Sequence, residues 1–282
     1  MGRATWGADP EFFGPRHAHR EGRILRALGR TAGRGGLHLE CAAGVGSLSL
    51  ALARSGRRVV AADRSLRSLA VLRARAAGTA AAPNVLPVAA DLEALPFRDA
   101  SFATATSAET LEHVPDDGAA ARELARVLAP GGLLAGTVPA WPGQWSDWDD
   151  WAGHLRRYTP EGLEGLLRHA GLDPRVSTWG WPLVRLYDAL FLRRVNRRRL
   201  RTDGPLESDP ALRTVGRLGR HRGLVRLVRA AFALDRPFDG LPWGVGLLFT
   251  ARKPPGDGEP WGENGERRAP GPNPTGPVPG RP

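Results

Sequence analysis

Three acids stand where a ligand could use them. Glu40, Asp63 and Asp91 each close, or nearly close, a short apolar run, and Glu40 comes four residues before the turn Gly44-Val45-Gly46. An apolar strand, a glycine turn and then a helix is the arrangement by which an open parallel sheet holds a nucleotide-like ligand at its carboxyl edge. Asp63 lies 19 residues after Gly44, close to the roughly 20 at which an acid accepts hydrogen bonds from a ribose diol. That spacing also fits a nicotinamide dinucleotide. Glu40 separates the two readings, because a carboxylate beside the turn repels a pyrophosphate and tolerates a cation. A helix N-terminus would also attract Glu40, and this role does not exclude ligand contact.

A second set of residues suits proton transfer and acceptor binding. His113 follows the fourth apolar run, and His154 and Tyr158 follow the fifth. Imidazole is the side chain most readily poised near neutral pH, so His113 and His154 are the base candidates, with Tyr158 beside them as a third catalytic candidate. Orienting a loop or contacting a cofactor is an equal reading for His113. The intervening stretch WPGQWSDWDDW, residues 141–151, holds four tryptophans and three aspartates. Trp141, Trp145, Trp148 and Trp151 recur every three or four positions and would share one helical face. Ordinary core is one reading of that face; a cover for an acceptor site is preferred, since Asp147, Asp149 and Asp150 would be poorly placed deep in a core. Arg156, Arg157 and Tyr158 are candidates for an anionic acceptor, and the arginines equally suit an exposed flank.

The elements that must position these groups alternate between strand and helix. Strands are predicted at 36–40, 58–63, 84–91, 101–108 and 132–140, with two more near 174–181 and 243–253. Between them lie helical stretches at 47–56, at 65–77 with Ser65 as N-cap, before an APGG stop at 129–132, and at 159–171, where Thr159 caps and Pro160 takes the first helical position. This is the pattern of an α/β fold, a doubly wound, Rossmann-like seven-stranded sheet, mostly parallel with the last strand antiparallel, covered by helices and carrying a helical insertion. The organisation expected is an N-terminal helical segment (1–35), a core (36–181), a basic helical insertion or cap (182–239), the final core strand (240–253) and a disordered Pro/Gly-rich tail (254–282).

The net charge of +11 is unevenly spread. Fourteen arginines fall between Arg185 and Arg236, while Lys253 is the sole lysine. The insertion reads as amphipathic arginine-rich helices, either capping the substrate side or lying on an anionic membrane surface. Nucleic acid is disfavoured because aromatic rings are sparse there. No apolar run is long enough to span a bilayer, no signal peptide stands at the start, and one cysteine, Cys41, fits a reducing compartment. A cytoplasmic protein, with membrane association open, is therefore expected.

From about Gly36 to Leu172, with the strand at 243–253, the chain resembles class I S-adenosylmethionine-dependent methyltransferases of the ubiquinone and menaquinone methylase branch. The acidic-x-Gly-x-Gly-x-Gly loop of that family corresponds to Glu40-Cys41-Ala42-Ala43-Gly44-Val45-Gly46, with Ala42 in place of the first glycine. AADLEALPFRDASF (89–102), ETLEHVPD (109–116) and RVLAPGG (126–132) also match, in order. The ligand so implied carries a sulfonium and an ammonium group and no phosphate, as the charge argument requires. The resemblance implies Glu40, Ala42, Gly44 and Gly46 around the methionine end of S-adenosylmethionine, Asp63 on the ribose, Asp91 and Leu92 near the adenine, and Ser107 at the fourth strand's end. It implies methyl transfer by in-line displacement to a small-molecule or lipid-linked acceptor, and no metal is expected. A nicotinamide-dependent oxidoreductase and a non-catalytic basic protein binding membrane or nucleic acid remain the alternatives.

Overall fold

The computed structural model describes residues 14–29, 36–201 and 209–255. Most of the expected N-terminal segment and nearly all of the expected tail lie outside them. Seven strands form one sheet: β1 (Leu37–Cys41), β2 (Arg58–Asp63), β3 (Val85–Ala89), β4 (Phe102–Ala108), β5 (Leu128–Pro139), β6 (Asp173–Trp179) and β7 (Gly246–Arg252). Their order is β3-β2-β1-β4-β5-β7-β6. The pairs among β1 to β5 are parallel, and β7 runs antiparallel to both β5 and β6. This is the mixed, doubly wound sheet expected.

Helices cover both faces, so the central strands are buried on both sides, and polar side chains within them, such as His38 of β1 with Thr104 and Thr106 of β4, are hydrogen-bonded to one another. One layer packs α1 (Pro15–Leu28), α2 (Ser47–Arg54) and α3 (Leu66–Ala76) on the sheet through Ile24, Leu50, Leu52 and Leu72. The other packs α4 (Asp117–Val127) and α6 (Pro160–His169) through Leu124, Leu163 and Leu167. Each such buried side chain contributes about 1.5–3 kcal/mol of transfer free energy. Local chemistry sets the helix starts: Ser65 Oγ accepts the Ser68 amide at 3.1 Å, and Thr159 Oγ1 accepts the Gly162 amide at 3.1 Å. The helix ends at Val127, just before APGG as expected, while β5 begins earlier than predicted, at Leu128, with an irregular register against β4 between Phe102 and Thr104.

Strand order fixes where a ligand can sit. β1 leads to β2 on one side while β4 lies on the other, so the connections leaving β1 and β4 diverge and open a crevice at their carboxyl ends. Between β6 and β7 the chain adds α7 (Leu183–Tyr187), a π-helical turn (Asp188–Leu192), α8 (Arg193–Arg201), α9 (Pro210–Arg220) and α10 (Arg222–Phe232). Val184 and Phe232 anchor this addition on Trp179 and Val245. The fully buried Asp235 secures it further, its carboxylate accepting the Leu183 and Val184 amides at 2.8 and 2.9 Å. A short helix, α5 (Asp147–Ala152), lies between β5 and α6.

Candidate active site

The divergence at β1 and β4 opens into a cavity of about 1540 Å³, larger than the 300–1,000 Å³ usual for one small ligand, so there is room for two. Its floor carries Glu40, Ala42, Gly44, Asp63, Asp91 and Leu92. The turn after β1 makes its own hydrogen bonds. Asp63 Oδ2 accepts the Gly44 amide at 2.8 Å, its Oδ1 accepts the Ser65 amide at 2.7 Å, the Ala43 amide donates to Ala62 O at 3.0 Å, and the Gly46 amide donates to Ala43 O at 2.8 Å. A phosphate binds such a turn through free amides, and here these three are engaged. Fewer turn amides are therefore left for a pyrophosphate, and the neighbouring carboxylates oppose its charge.

What remains on this floor is a set of acceptors. Asp63 and Asp91 are half-buried and Glu40 is buried, with the Ser49 hydroxyl donating to Glu40 Oε2. Each Asp63 oxygen takes one amide and keeps a lone pair for a ligand hydroxyl. Asp91 lies 3.5 Å from the exposed Arg64 guanidinium. This carboxylate-rich surface fits an adenosyl cation: Asp63 for a diol, Glu40 for a positive charge, Leu92 for an apolar ring face. Ala42 adopts φ +53°, so the left-handed geometry is retained where the resembled loop has glycine.

Two residues expected around the cofactor are not in the cavity lining. Gly46 caps α2 at φ +78°, and a Cβ there would lie 2.0 Å from Leu72 Cδ1, so close packing of α2 on α3 accounts for the glycine. Ser107 is buried inside β4 and lies beneath the lining.

The opposite wall is built from distant parts of the chain. His113 and His154 line it and meet edge to face, with ring centroids 4.7 Å apart. His154 Nδ1 bonds Asp149 Oδ1 at 2.7 Å, and Arg157 clamps the same carboxylate with Nε at 2.8 Å and Nη2 at 2.9 Å. Burial opposes the charge on Asp149, but the hydrogen bonds from His154 and Arg157 outweigh it and hold the carboxyl well below its usual range. Burial, with the neighbouring His154, lowers His113 to about 4, so it is neutral near pH 7.

Several expectations for this wall change. Asp149 is fully buried rather than solvated, because four donors surround it: His154, Arg157, and the Ser146 amide and hydroxyl. Trp141 leaves the tryptophan face, taking φ +61° and donating Nε1 to Gly244 O at 3.2 Å, while Trp145, Trp148 and Trp151 line the cavity. Arg156 donates to Val114 O and Pro115 O, and Arg157 is spent on Asp149 and Ala140 O, so both hold the loop. Tyr158 is turned away from the cavity: its hydroxyl donates to Asp117 Oδ2 at 2.8 Å, and burial together with that carboxylate pushes its pKa up. A base role does not fit this placement.

The sequence reading overlooked several wall residues. Glu109 and Glu112 sit in the quoted ETLEHVPD but were not singled out, although two acids three apart beside a histidine, just after a strand, is a signal. Glu109 lines the cavity at φ +54°. Burial raises its pKa, but Arg20 and Arg16 of α1 outweigh that and keep it low; Arg20 stands 3.5 Å away. Glu112 is fully buried and its pKa is raised well above the usual carboxylate value by burial and by Glu109. Arginines of the insertion, among them Arg193, Arg197, Arg213 and Arg217, line the far side. Arg199 reaches across from α8, its guanidinium 4.4 Å from the Trp151 ring centroid and 5.7 Å from that of Trp148.

Comparison with known proteins agrees with this geometry. Residues 39–136 match the family described as "Methyltransferase domain". The chain is 46% identical over 96 residues to a demethylmenaquinone methyltransferase of Clavibacter sepedonicus, covering 34% of this chain and 38% of that protein. It is 36% identical over 134 residues to a ubiquinone biosynthesis O-methyltransferase of Paracidovorax citrulli, covering 46% and 54%. The chain thus spans about two fifths to one half of these curated relatives. Among solved structures it superposes on phosphoethanolamine N-methyltransferase 2 of Haemonchus contortus in complex with S-adenosyl-L-methionine, with a TM-score of 0.58 and 18% identity over 86% of this chain and 54% of that one.

Proposed function

We propose that this chain, whose residues 39–136 form a class I methyltransferase domain, is an S-adenosylmethionine-dependent methyltransferase acting on an anionic small-molecule or lipid-linked acceptor. The observation that carries the reading is the turn after β1, whose amides are engaged by Asp63, Ala62 and Ala43 while carboxylates face the cavity. The bound cofactor supplies an electrophilic methyl group on a sulfonium. The residues of the chain do the rest. Asp63 and Asp91 bind and orient the adenosyl part, and Glu40 favours the cationic end. Alignment of donor and acceptor can lower the barrier by about 7–11 kcal/mol. Trp145, Trp148 and Trp151 exclude water from the acceptor volume, and the arginines lining the insertion side attract an anionic group on the acceptor. His113 and His154 stand at the acceptor side, where their rings can orient an acceptor oxygen.

The outer face of the insertion supports a peripheral contact with anionic membrane. Leu186, Leu190 and Leu227 are more than half exposed there, beside Arg194 and Arg226, and among the described residues no helix is long and apolar enough to cross a bilayer. Such a contact would present a lipid-linked acceptor to a cytoplasmic enzyme. Sedimentation with phosphatidylglycerol vesicles, and not with phosphatidylcholine vesicles, is the expected result.

Calorimetry tests the central reading. S-adenosylmethionine and S-adenosylhomocysteine should bind and NADH should not; a preference for NADH would overturn the proposal and favour an oxidoreductase.

A further inference from the structure

The two histidines of the acceptor wall meet a buried acid, Glu112, to which the methyl-transfer reading gives no role. Glu112, His113 and His154 bring a carboxylate oxygen and two ring nitrogens within 4.8 Å of one another. Each group is prepared in a way that ordinary core packing does not explain. Glu112 is fully buried, yet neither of its carboxylate oxygens has a hydrogen-bond partner on another residue. Buried polar atoms are ordinarily paired, and a bound cation would satisfy both of these oxygens. His154 gives Nδ1 to the buried Asp149 at 2.7 Å, which leaves Nε2 as its coordinating atom. A ring nitrogen of His113 donates to the Gly153 carbonyl. Metal-ligating histidines typically donate the second ring N–H to a carboxylate or a backbone carbonyl, which fixes the tautomer and aims the ring. Both partners are present here, one on each histidine.

The chain holds these pieces together by backbone as well. The Leu155 amide donates to the Glu112 carbonyl at 2.7 Å and the His154 amide to the Asp149 carbonyl at 2.9 Å, so the loop after α5 is fastened to the segment after β4. Glu109, facing the same cavity, adds a second negative charge on the cavity side.

We propose that Glu112, His113 and His154 form a site for a divalent transition-metal cation, contrary to the expectation that no metal is bound. Two imidazoles and one carboxylate leave coordination positions open and suit cations of the manganese-to-zinc series more than calcium. Ligand atoms in such a site stand about 3–3.5 Å apart, as bonds of about 2.0–2.2 Å require, so binding has to draw the three groups together from a spacing of up to 4.8 Å. Because His113 and His154 line the cavity while Glu112 lies behind them, the open positions face the acceptor volume, where an acceptor oxygen can take one. That last role rests on the methyl-transfer reading; cation binding does not.

The test uses the full chain stripped with EDTA and titrated with Mn²⁺, followed by electron paramagnetic resonance, with Zn²⁺ as competitor. One saturable Mn²⁺ per chain is expected, displaced by Zn²⁺. Affinity should fall at least tenfold in Glu112→Gln and in His113→Gln, each checked for folding by circular dichroism, while the exposed-helix variant His169→Ala stays as wild type. If either ligand variant fails to fold, the other decides. Absence of saturable binding in the wild type, or unchanged affinity in the folded variants, overturns the site. Calorimetry with S-adenosylmethionine on the same metal-free protein reports separately on the methyltransferase reading.

Discussion

The two sides of the cavity are built on different principles. The floor comes from consecutive strand ends, and its groups lie within 53 residues, from Glu40 to Leu92; the backbone turn itself sets their positions. The acceptor wall gathers α1, the segment after β4, the loop around α5 and the insertion, and it is held by side chains that neutralise one another. Local geometry therefore governs the cofactor side, while long-range polar contacts govern the acceptor side. The first tolerates change elsewhere in the chain; the second depends on a few buried charges.

The sharpest way to break that contrast is at Asp149. Replacing it with alanine leaves Arg157 and His154 without their buried partner, and urea unfolding should register a loss of about 3–5 kcal/mol; a loss below about 1 kcal/mol would mean the wall does not depend on this carboxylate. On the floor, Asp63→Ala removes the contacts to a diol and unlocks the Gly44 amide. Charge-assisted hydrogen bonds of about 1.5–3 kcal/mol each predict a roughly 100-fold or greater loss of S-adenosylmethionine affinity by calorimetry.

A pH dependence follows from His38 of β1, which is buried between Thr104 and Thr106, with hydrogen bonds of 2.8 and 3.0 Å. Burial, with Arg57, lowers its pKa to about 3. The unfolded chain binds the proton more tightly, so the stability this group allows is complete above about pH 6.5 and declines toward pH 3, by about 1.4 kcal/mol per pH unit at most. His38→Gln should flatten that part of the stability profile, as read by urea melts at pH 7 and pH 5.

Smaller effects separate the two sides further. Arg199→Ala removes a contact of about 0.5–2 kcal/mol between α8 and the tryptophan pair, so acceptor KM should rise several-fold with kcat and cofactor affinity little changed. Ala42→Gly relieves a left-handed alanine, and a stability gain below about 1 kcal/mol in thermal melts is expected, the added backbone entropy offsetting part of the relief.

The floor was legible because its information is local. An acid closing an apolar run and a glycine turn nineteen residues before the next acid fix direction and spacing within one βα unit, and the parallel order of the central strands brings those ends together. The wall was legible only in part. The tryptophan spacing pointed to a covering segment, but the break at Trp141 depends on the Gly244 carbonyl, 103 residues away. The burial of Asp149 depends on Arg157 and His154 folding back over it, which no periodicity records. Tyr158 read as a candidate from its neighbours, yet its hydroxyl is committed to Asp117 on α4.

The amino-acid order alone thus determined the layered α/β architecture, the place of the cofactor turn and the charge suited to its ligand, because strand periodicity and turn chemistry act over a few residues. Tertiary structure decided which acids are solvated, which histidines meet and which arginines face the cavity. Those outcomes turn on compensation between buried charges brought together from distant segments, and a charge has no partner until the chain has folded around it.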